Sequence, residues 1–264
     1  MRILFFGDII GRVARNKLAD AAHGIAARLD ADMLIANAEN SAHGFGVTER
    51  VAEKLLSQFD VITSGDHICD QSEIASFIKK EPRLLRPENW GKLGAGSGHL
   101  LYKKGGRRVL VINLLGQVLM KRDGVDNPFF AADKILEEFK LGKNADAIFV
   151  DFHAEASSEK IALAHYLDGR VSAVVGTHTH VPTADERILP HGTAFQTDAG
   201  SCSDFDSVIG MQKPDAIGRL TGAEDAKLKP AEGPPTLCGT LIEVGPDGLA
   251  RKIERVMEGK PLNG

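Results

Sequence analysis

A chain of 264 residues, 43% of them hydrophobic, is long enough to bury one large core and short for two independent ones. Its 32 Lys and Arg against 36 Asp and Glu leave a formal charge of −4, a balance that argues against a general nucleic-acid-binding surface or a membrane-surface protein. Cys69, Cys202 and Cys238 lack C-x-x-C spacing, no run is long and apolar enough to span a bilayer, and the apolar N-terminal segment is too short for a signal peptide, which together indicate a single cytoplasmic domain.

Arg2 to Phe6 reads as a buried first strand that runs into Gly7-Asp8, a carboxylate at the strand's carboxyl end. From about Asn16 to Leu29, residues Leu18, Ala21, Ala22, Ile25, Ala26 and Leu29 recur at helical spacing. Asp32 to Ala36 is a second apolar strand, ending in Asn37-Ala38-Glu39-Asn40. Ser41 to Gly46 is a glycine-bearing loop of the kind that covers a site, and its His43 is a candidate substrate contact. Thr48 looks like the N-cap of a helix whose Val51, Leu55, Leu56 and Phe59 face the core.

Asp60 to Gly65 makes a third strand that stops at Asp66-His67, and Asp70 is placed to cap a following helix bearing Ile74, Phe77 and Ile78. The glycine-rich stretch from Gly91 to Gly98 matches neither a phosphate-binding G-x-x-x-x-G-K-[ST] loop nor a dinucleotide fingerprint. Residues 99–102 and 107–113 flank Gly105-Gly106 as a hairpin, and Phe129 to Phe139 is an amphipathic helix. Ala145 to His153 returns to an apolar strand ending at a histidine, and Ser157 starts a helix bearing Ile161, Leu163, Ala164 and Leu167. Val171 to Val175 is a buried strand closing in Gly176-Thr177-His178-Thr179-His180. Residues 188–200 read as a turn between short strands, 201–235 as a long excursion or an oligomer contact, and 237–256 as a second hairpin around Gly245-Pro246-Asp247-Gly248.

Five apolar strands therefore end at Asp8, at Glu39-Asn40, at Asp66-His67, at His153 and at His178-x-His180. Ligands gather beyond the carboxyl ends of strands in α/β sheets, so these groups fall along one edge. Alternation along an extended chain points His178 and His180 the same way. So many nitrogen and oxygen donors are too costly to bury alone and too numerous for one ion, and they suit a two-metal centre of Mn, Fe or Zn with one carboxylate bridging.

Gly7-Asp8, Asn37-Ala38-Glu39-Asn40, Gly65-Asp66-His67, Phe152-His153-Ala154-Glu155 and Gly176-Thr177-His178-Thr179-His180 resemble the ordered blocks of the calcineurin-like metallophosphoesterases. More closely they resemble the bacterial YmdB-type subgroup of 2′,3′-cyclic nucleotide phosphodiesterases. The resemblance implies a four-layer α/β/β/α sandwich with two mixed sheets, in keeping with the two hairpins. It implies that Asp8, Glu39, Asn40 and His180 surround one metal, and that Glu39 bridges to a second completed by Asp66, His153 and His178. It implies that His67 is a non-ligand general acid beside the phosphate, with hydrolysis by a water that the two metals activate.

Position 66 departs from the family pattern, which has Asn in Gly-Asn-His. The expected substrate is a small phosphate ester or cyclic nucleotide, with no stable nucleic-acid complex, no membrane and a homodimer or tetramer. The same centre also suits a phosphomonoesterase or another diesterase, or a nucleotide-binding regulatory metalloprotein with little turnover, to which Asp66 gives weight. Asp151, Glu155 and Asp198 are candidates to orient the histidine ligands from behind, with surface or capping roles as the alternative.

Overall fold

The computed structural model describes residues 1–223 and 226–259. The chain runs through β1 (Arg2–Phe6), β2 (Asp8–Ile9), α1 (Gly11–Arg28), β3 (Met33–Asn37), α2 (Glu49–Leu56), β4 (Val61–Thr63) and α3 (Ile74–Phe77). It continues through β5 (His99–Lys104), β6 (Arg107–Leu115), α4 (Pro128–Glu138), β7 (Ala147–His153), α5 (Ser157–Tyr166) and β8 (Ala173–Thr177). It ends with β9 (Arg187–Ile188), β10 (Ala194–Gln196), β11 (Ser201–Cys202), α6 (Lys213–Leu220), β12 (Leu237–Val244) and β13 (Ala250–Glu258).

Two mixed sheets result, ordered β13-β12-β1-β3-β4 and β5-β6-β7-β8-β10-β9, with β11 and β2 forming a small third pair. The strands read as continuous apolar runs because both of their faces are covered. In β1, Ile3 and Phe5 face the other sheet while Leu4 and Phe6 face the helices α1 and α2. In β7, Ala147 and Phe149 face inward while Ile148, Val150 and Phe152 meet α4 and α5. The Phe5 and Phe149 rings meet across the interface at 4.9 Å. Helices, sheet, sheet and helices thus form the four layers of the expected α/β/β/α sandwich.

Three local expectations change. Helix α1 starts at Gly11 rather than near Asn16: Gly11 takes a left-handed φ of +72° and gives its N–H to the Asn40 carbonyl at 2.9 Å, so the chain turns straight from β2 into the helix. Asp70 caps nothing, because its carboxylate is taken by His67 Nδ1 at 2.6 Å, and α3 is left as one short turn. The described part of segment 201–235, which excludes 224 and 225, pairs β11 with β2 and packs Met211 and Ala216 on Ile10, with Phe45, Val208 and Leu228 alongside. That packing folds it over the ends of the strands that carry Asp8 and Asn40.

Candidate metal centre

Period-two alternation carries the inward face of the two sheets from apolar to polar residues at the carboxyl ends of the strands. Ile35 is followed on that face by Asn37, Val61 by Thr63, Val111 by Asn113, Phe149 by Asp151 and Val175 by Thr177, and all five polar residues are buried. Asp151 ties the layer together: its carboxylate accepts from Asn37 Nδ2 at 2.9 Å, Thr63 Oγ1 at 2.5 Å and Thr177 Oγ1 at 2.7 Å. Just beyond four of these residues, Asn37, Thr63, Asp151 and Thr177, stand candidate ligands: Glu39 and Asn40, Asp66, His153, and His178 and His180.

Their hydrogen bonds fix which atoms are free. Thr177 Oγ1 gives its proton to Asp151 and so accepts from His153 Nδ1 at 3.0 Å, leaving His153 Nε2 with a lone pair. His180 Nδ1 donates to the Ile209 carbonyl at 3.0 Å, which frees Nε2 likewise. His178 is the reverse: its Nε2 meets the Glu155 carboxylate at 3.2 Å, while Nδ1 lies 3.1 Å from His153 Nε2. Asp66 Oδ1 is 3.3 Å and Glu39 Oε1 3.6 Å from the same His153 nitrogen. Gly65 is needed at its position, since a Cβ there would come within 2.3 Å of the His153 ring.

Among the described residues, Asp66, His153 and His178 offer atoms within 4.8 Å of one another, and so do Glu39, Asp66 and His67. Asp8 and His180 stand beside these groups, with Asp8 Oδ1 3.9 Å from His180 Nε2. Glu39 is held centrally by backbone N–H groups of Gly65 and His67.

Convergence of His178 and His180 does not come from strand alternation. Strand β8 ends at Thr177, and both histidines have left-handed backbones, with φ of +97° and +65°. Such conformations are costly for residues with a Cβ and persist only where neighbours enforce them. Asp198 does so: it accepts from Thr179 N at 3.1 Å and Thr179 Oγ1 at 2.7 Å, between the two histidines, and from Gly200 N at 2.8 Å. Lys160 Nζ, buried within α5, pairs with the same carboxylate at 2.8 Å. The Asp8 carboxylate adds a bond from His178 N at 3.1 Å.

Burial pushes the Asp8 carboxyl up to about 7, with neighbouring Asp198 adding to it, and raises Glu39 well above its ordinary range. Burial also holds His153 at about 3 and lowers His178 and His180, so all three imidazoles are neutral and able to ligate. Asp8 Oδ1, Asn40 Oδ1 and Asp66 Oδ1 are buried with no hydrogen-bond partner. Neutral imidazole nitrogens, crowded carboxylates and orphaned oxygens facing one another are what a cation would satisfy, so the donor set fits metal ions.

The same shifts predict a pH effect on metal-free protein. Asp8 and Asp151, both raised from 3.8 to about 7, hold protons in the folded chain that the unfolded chain releases. Their contribution to stability is complete below about 3.8, shrinks as pH rises and is gone above about 7. His153, His178 and His180, all lowered by burial, act the other way, because the unfolded chain takes up their protons as pH falls. The share of the acids is therefore isolated with Asp151→Asn: relative to that variant, metal-free protein should lose melting temperature as pH rises from 5 to 8. A difference in melting temperature between the two proteins that stays constant over this range would contradict the burial of Asp151 as an acid.

The family model described as YmdB-like protein matches residues 4–256. The chain is 42% identical, over 97% of both sequences, to the 2′,3′-cyclic-nucleotide 2′-phosphodiesterase of Bacillus subtilis strain 168. The chain belongs to the YmdB-like family. Two solved structures superpose with TM-scores of 0.90. One is a hypothetical protein from Thermus thermophilus, 36% identical, covering 99% of this chain and 100% of that one. The other is a phosphatase from Mycoplasma pneumoniae, 31% identical, covering 98% and 93%. With the family goes the reaction class: the chain is a phosphoester hydrolase.

Asp66, where the resemblance led to an expectation of Asn, adds a carboxylate to the centre. Arg122, from the loop between β6 and α4, offsets it by donating from Nε to Asp66 Oδ2 at 2.8 Å, with its guanidinium 5.8 Å from the Trp90 ring centre. Nothing in the sequence around Arg122 signals this contact. Thr177, Thr179 and Lys160 were also missed as positioning groups, although Thr177 and Thr179 lie within the H-x-H stretch.

Asp151 lies behind His153 through Thr177, Glu155 contacts His178 directly, and Asp198 reaches the histidine pair only through Thr179. His67 lines a cavity of about 310 Å³ with Glu39, Asn40, His178, His180 and Phe45. His43 is exposed and faces a different cavity, with Arg12 and Arg15, so it is not on the wall that His67 and His178 share.

Proposed function

We propose that this chain is a two-metal phosphodiesterase that opens 2′,3′-cyclic nucleotides at the bond to O2′, leaving nucleoside 3′-phosphates. The observation that carries the reading is the set of unpartnered buried oxygens on Asp8, Asn40 and Asp66 beside free imidazole nitrogens; Asn40, His178 and His180 line the cavity that His67 also lines. The name of the Bacillus subtilis relative supports the substrate class and the bond broken. Asp8, Asn40 and His180 would hold one cation and Asp66, His153 and His178 the other, with Glu39 between them. Iron or manganese suits this mixed imidazole and oxygen set best, with zinc as the alternative. When bound, such cations make water nucleophilic near neutral pH and neutralise phosphate charge.

The chain's own groups complete the reaction. His67 Nδ1–H donates to Asp70 at 2.6 Å, which orients the ring so that the doubly protonated imidazole can give its Nε2 proton to the departing O2′. Phe45, Met211 and Leu228 give the base an apolar wall. Arg122 supports turnover over the binding-protein alternative, because it offsets the charge that Asp66 adds to the centre.

His67→Ala should lower turnover of 2′,3′-cyclic AMP by about a hundredfold or more while metal content is unchanged. Near-normal turnover would remove the acid role, and lost metal would make His67 a ligand beside Glu39 and Asp66. The substrate class is tested by turnover of 2′,3′-cyclic AMP, 3′,5′-cyclic AMP and an aryl phosphate on manganese-loaded protein. Preference for the aryl phosphate would assign a phosphomonoesterase instead.

A further inference from the structure

A cleft of about 880 Å³ lies apart from the metal centre, on the other side of the loop from Asn40 to Gly46. Its charge is one-sided. Arg12, Arg15, Arg50, Lys54 and Lys229 line it against a single carboxylate, Glu232. Glu232 lies 3.1 Å from Arg12, and both are largely exposed. Lys54 donates only to Asn16 Oδ1, and Arg15 donates only to the Ser41 carbonyl, at 2.7 Å. Among the described residues Arg15, Arg50, Lys54 and Lys229 have no carboxylate at ion-pair distance. Elsewhere on this net-acidic chain, Arg2, Arg28, Arg108, Arg170 and Arg255 each have one. Burial, followed by repulsion from Arg12 and Arg50, lowers the Arg15 pKa. The cations are therefore crowded, and among the described residues Arg12 alone of the five has a carboxylate partner.

We propose that this cleft is a second ligand site, separate from the metal centre, for a compact anion bearing two or more phosphate groups. Several phosphate oxygens would meet several guanidinium and ammonium donors at once, which a single phosphate would not exploit. The volume is that of a small-molecule site. A nucleic-acid strand is disfavoured, because strand-binding grooves add aromatic stacking platforms and His43 is the one ring among the lining residues. Nucleoside diphosphates and inorganic pyrophosphate share the required chemistry. The site does not depend on which ester the metal centre hydrolyses.

Calorimetric titration of metal-loaded protein with ADP, with magnesium pyrophosphate and with a ten-nucleotide oligoribonucleotide tests the proposal. The comparison is Arg50→Glu/Lys229→Glu, two exposed positions without ion-pair partners. ADP or pyrophosphate should bind the unaltered chain and bind the double variant at least about tenfold more weakly. Hydrolysis of 2′,3′-cyclic AMP without added anion should stay the same in both. Equal affinity for the two ligands would mean that phosphates alone are read, and tighter ADP binding that the nucleoside is read too; either supports the site. Three results would overturn it: affinity unchanged by the double variant, which puts the anion at the metals; no saturation below about 1 mM; or an oligoribonucleotide that binds more tightly than both small anions.

Discussion

Glu39→Gln is expected to lower 2′,3′-cyclic AMP turnover by at least about a thousandfold. Glu39 is 1% exposed, and its two carboxylate oxygens accept the backbone N–H groups of Gly65 and His67. This clamp sets the plane of the carboxylate, and the same group lies 3.6 Å from His153 Nε2 and belongs to a group of possible ligands with Asp66 and His67. Glutamine preserves the size but presents an NH₂ to one of the two N–H donors, so one bond of the clamp is lost along with the charge. Cations at the centre should therefore bind more weakly as well as react more slowly. Elemental analysis beside the kinetic assay separates the two effects. Turnover within tenfold of the unaltered chain, with full metal content, would remove Glu39 from its place between the cations.

Strand ends were legible because a buried apolar run that stops at Asp, Glu or His has few bland explanations. Asp8, Glu39, Asp66 and His153 were picked out that way, and the fold brings them together. The layer beneath them was legible in principle, since Asn37, Thr63, Asn113, Asp151 and Thr177 occupy the inward phase of their strands. Reading each strand only for where it stopped passed over them. The geometry of His178 and His180 was not legible: a left-handed backbone at a non-glycine residue leaves no trace in residue type, and Asp198 that enforces it lies 18 and 20 residues away. Arg122 is hidden for the same reason, because a loop residue's partner is decided by tertiary packing. Segment 201–235 lacked periodicity because it wraps the site with short pieces, β11 and α6, joined by contacts such as Ile209 to His180.

Lys160→Met should destabilise the fold by about 3–5 kcal/mol, the usual consequence of removing one partner from a buried ion pair. In a chain of this size that is a fall in melting temperature of about 10 °C. Lys160 is 1% exposed and Asp198 0% exposed, their charged atoms are 2.8 Å apart, and methionine keeps the stem that packs beside Gly176. Asp198 would keep its bonds from Thr179 and Gly200 but lose the cation it pairs with. Lys160 is also among the charges that hold Asp8 down, so its removal should weaken metal binding as well as the fold. The double variant Lys160→Met/Asp198→Asn tests the origin of the loss. An amide carbonyl can still accept from Thr179, so stability should recover by about half or more if the penalty came from the stranded carboxylate. Metal affinity should recover with it, because Asp198→Asn also removes the negative charge that raises Asp8, while Thr179 stays held between His178 and His180. Full recovery of stability without recovery of metal affinity would mean that the charge of Lys160, and not the posture of the histidine pair, is what the centre requires.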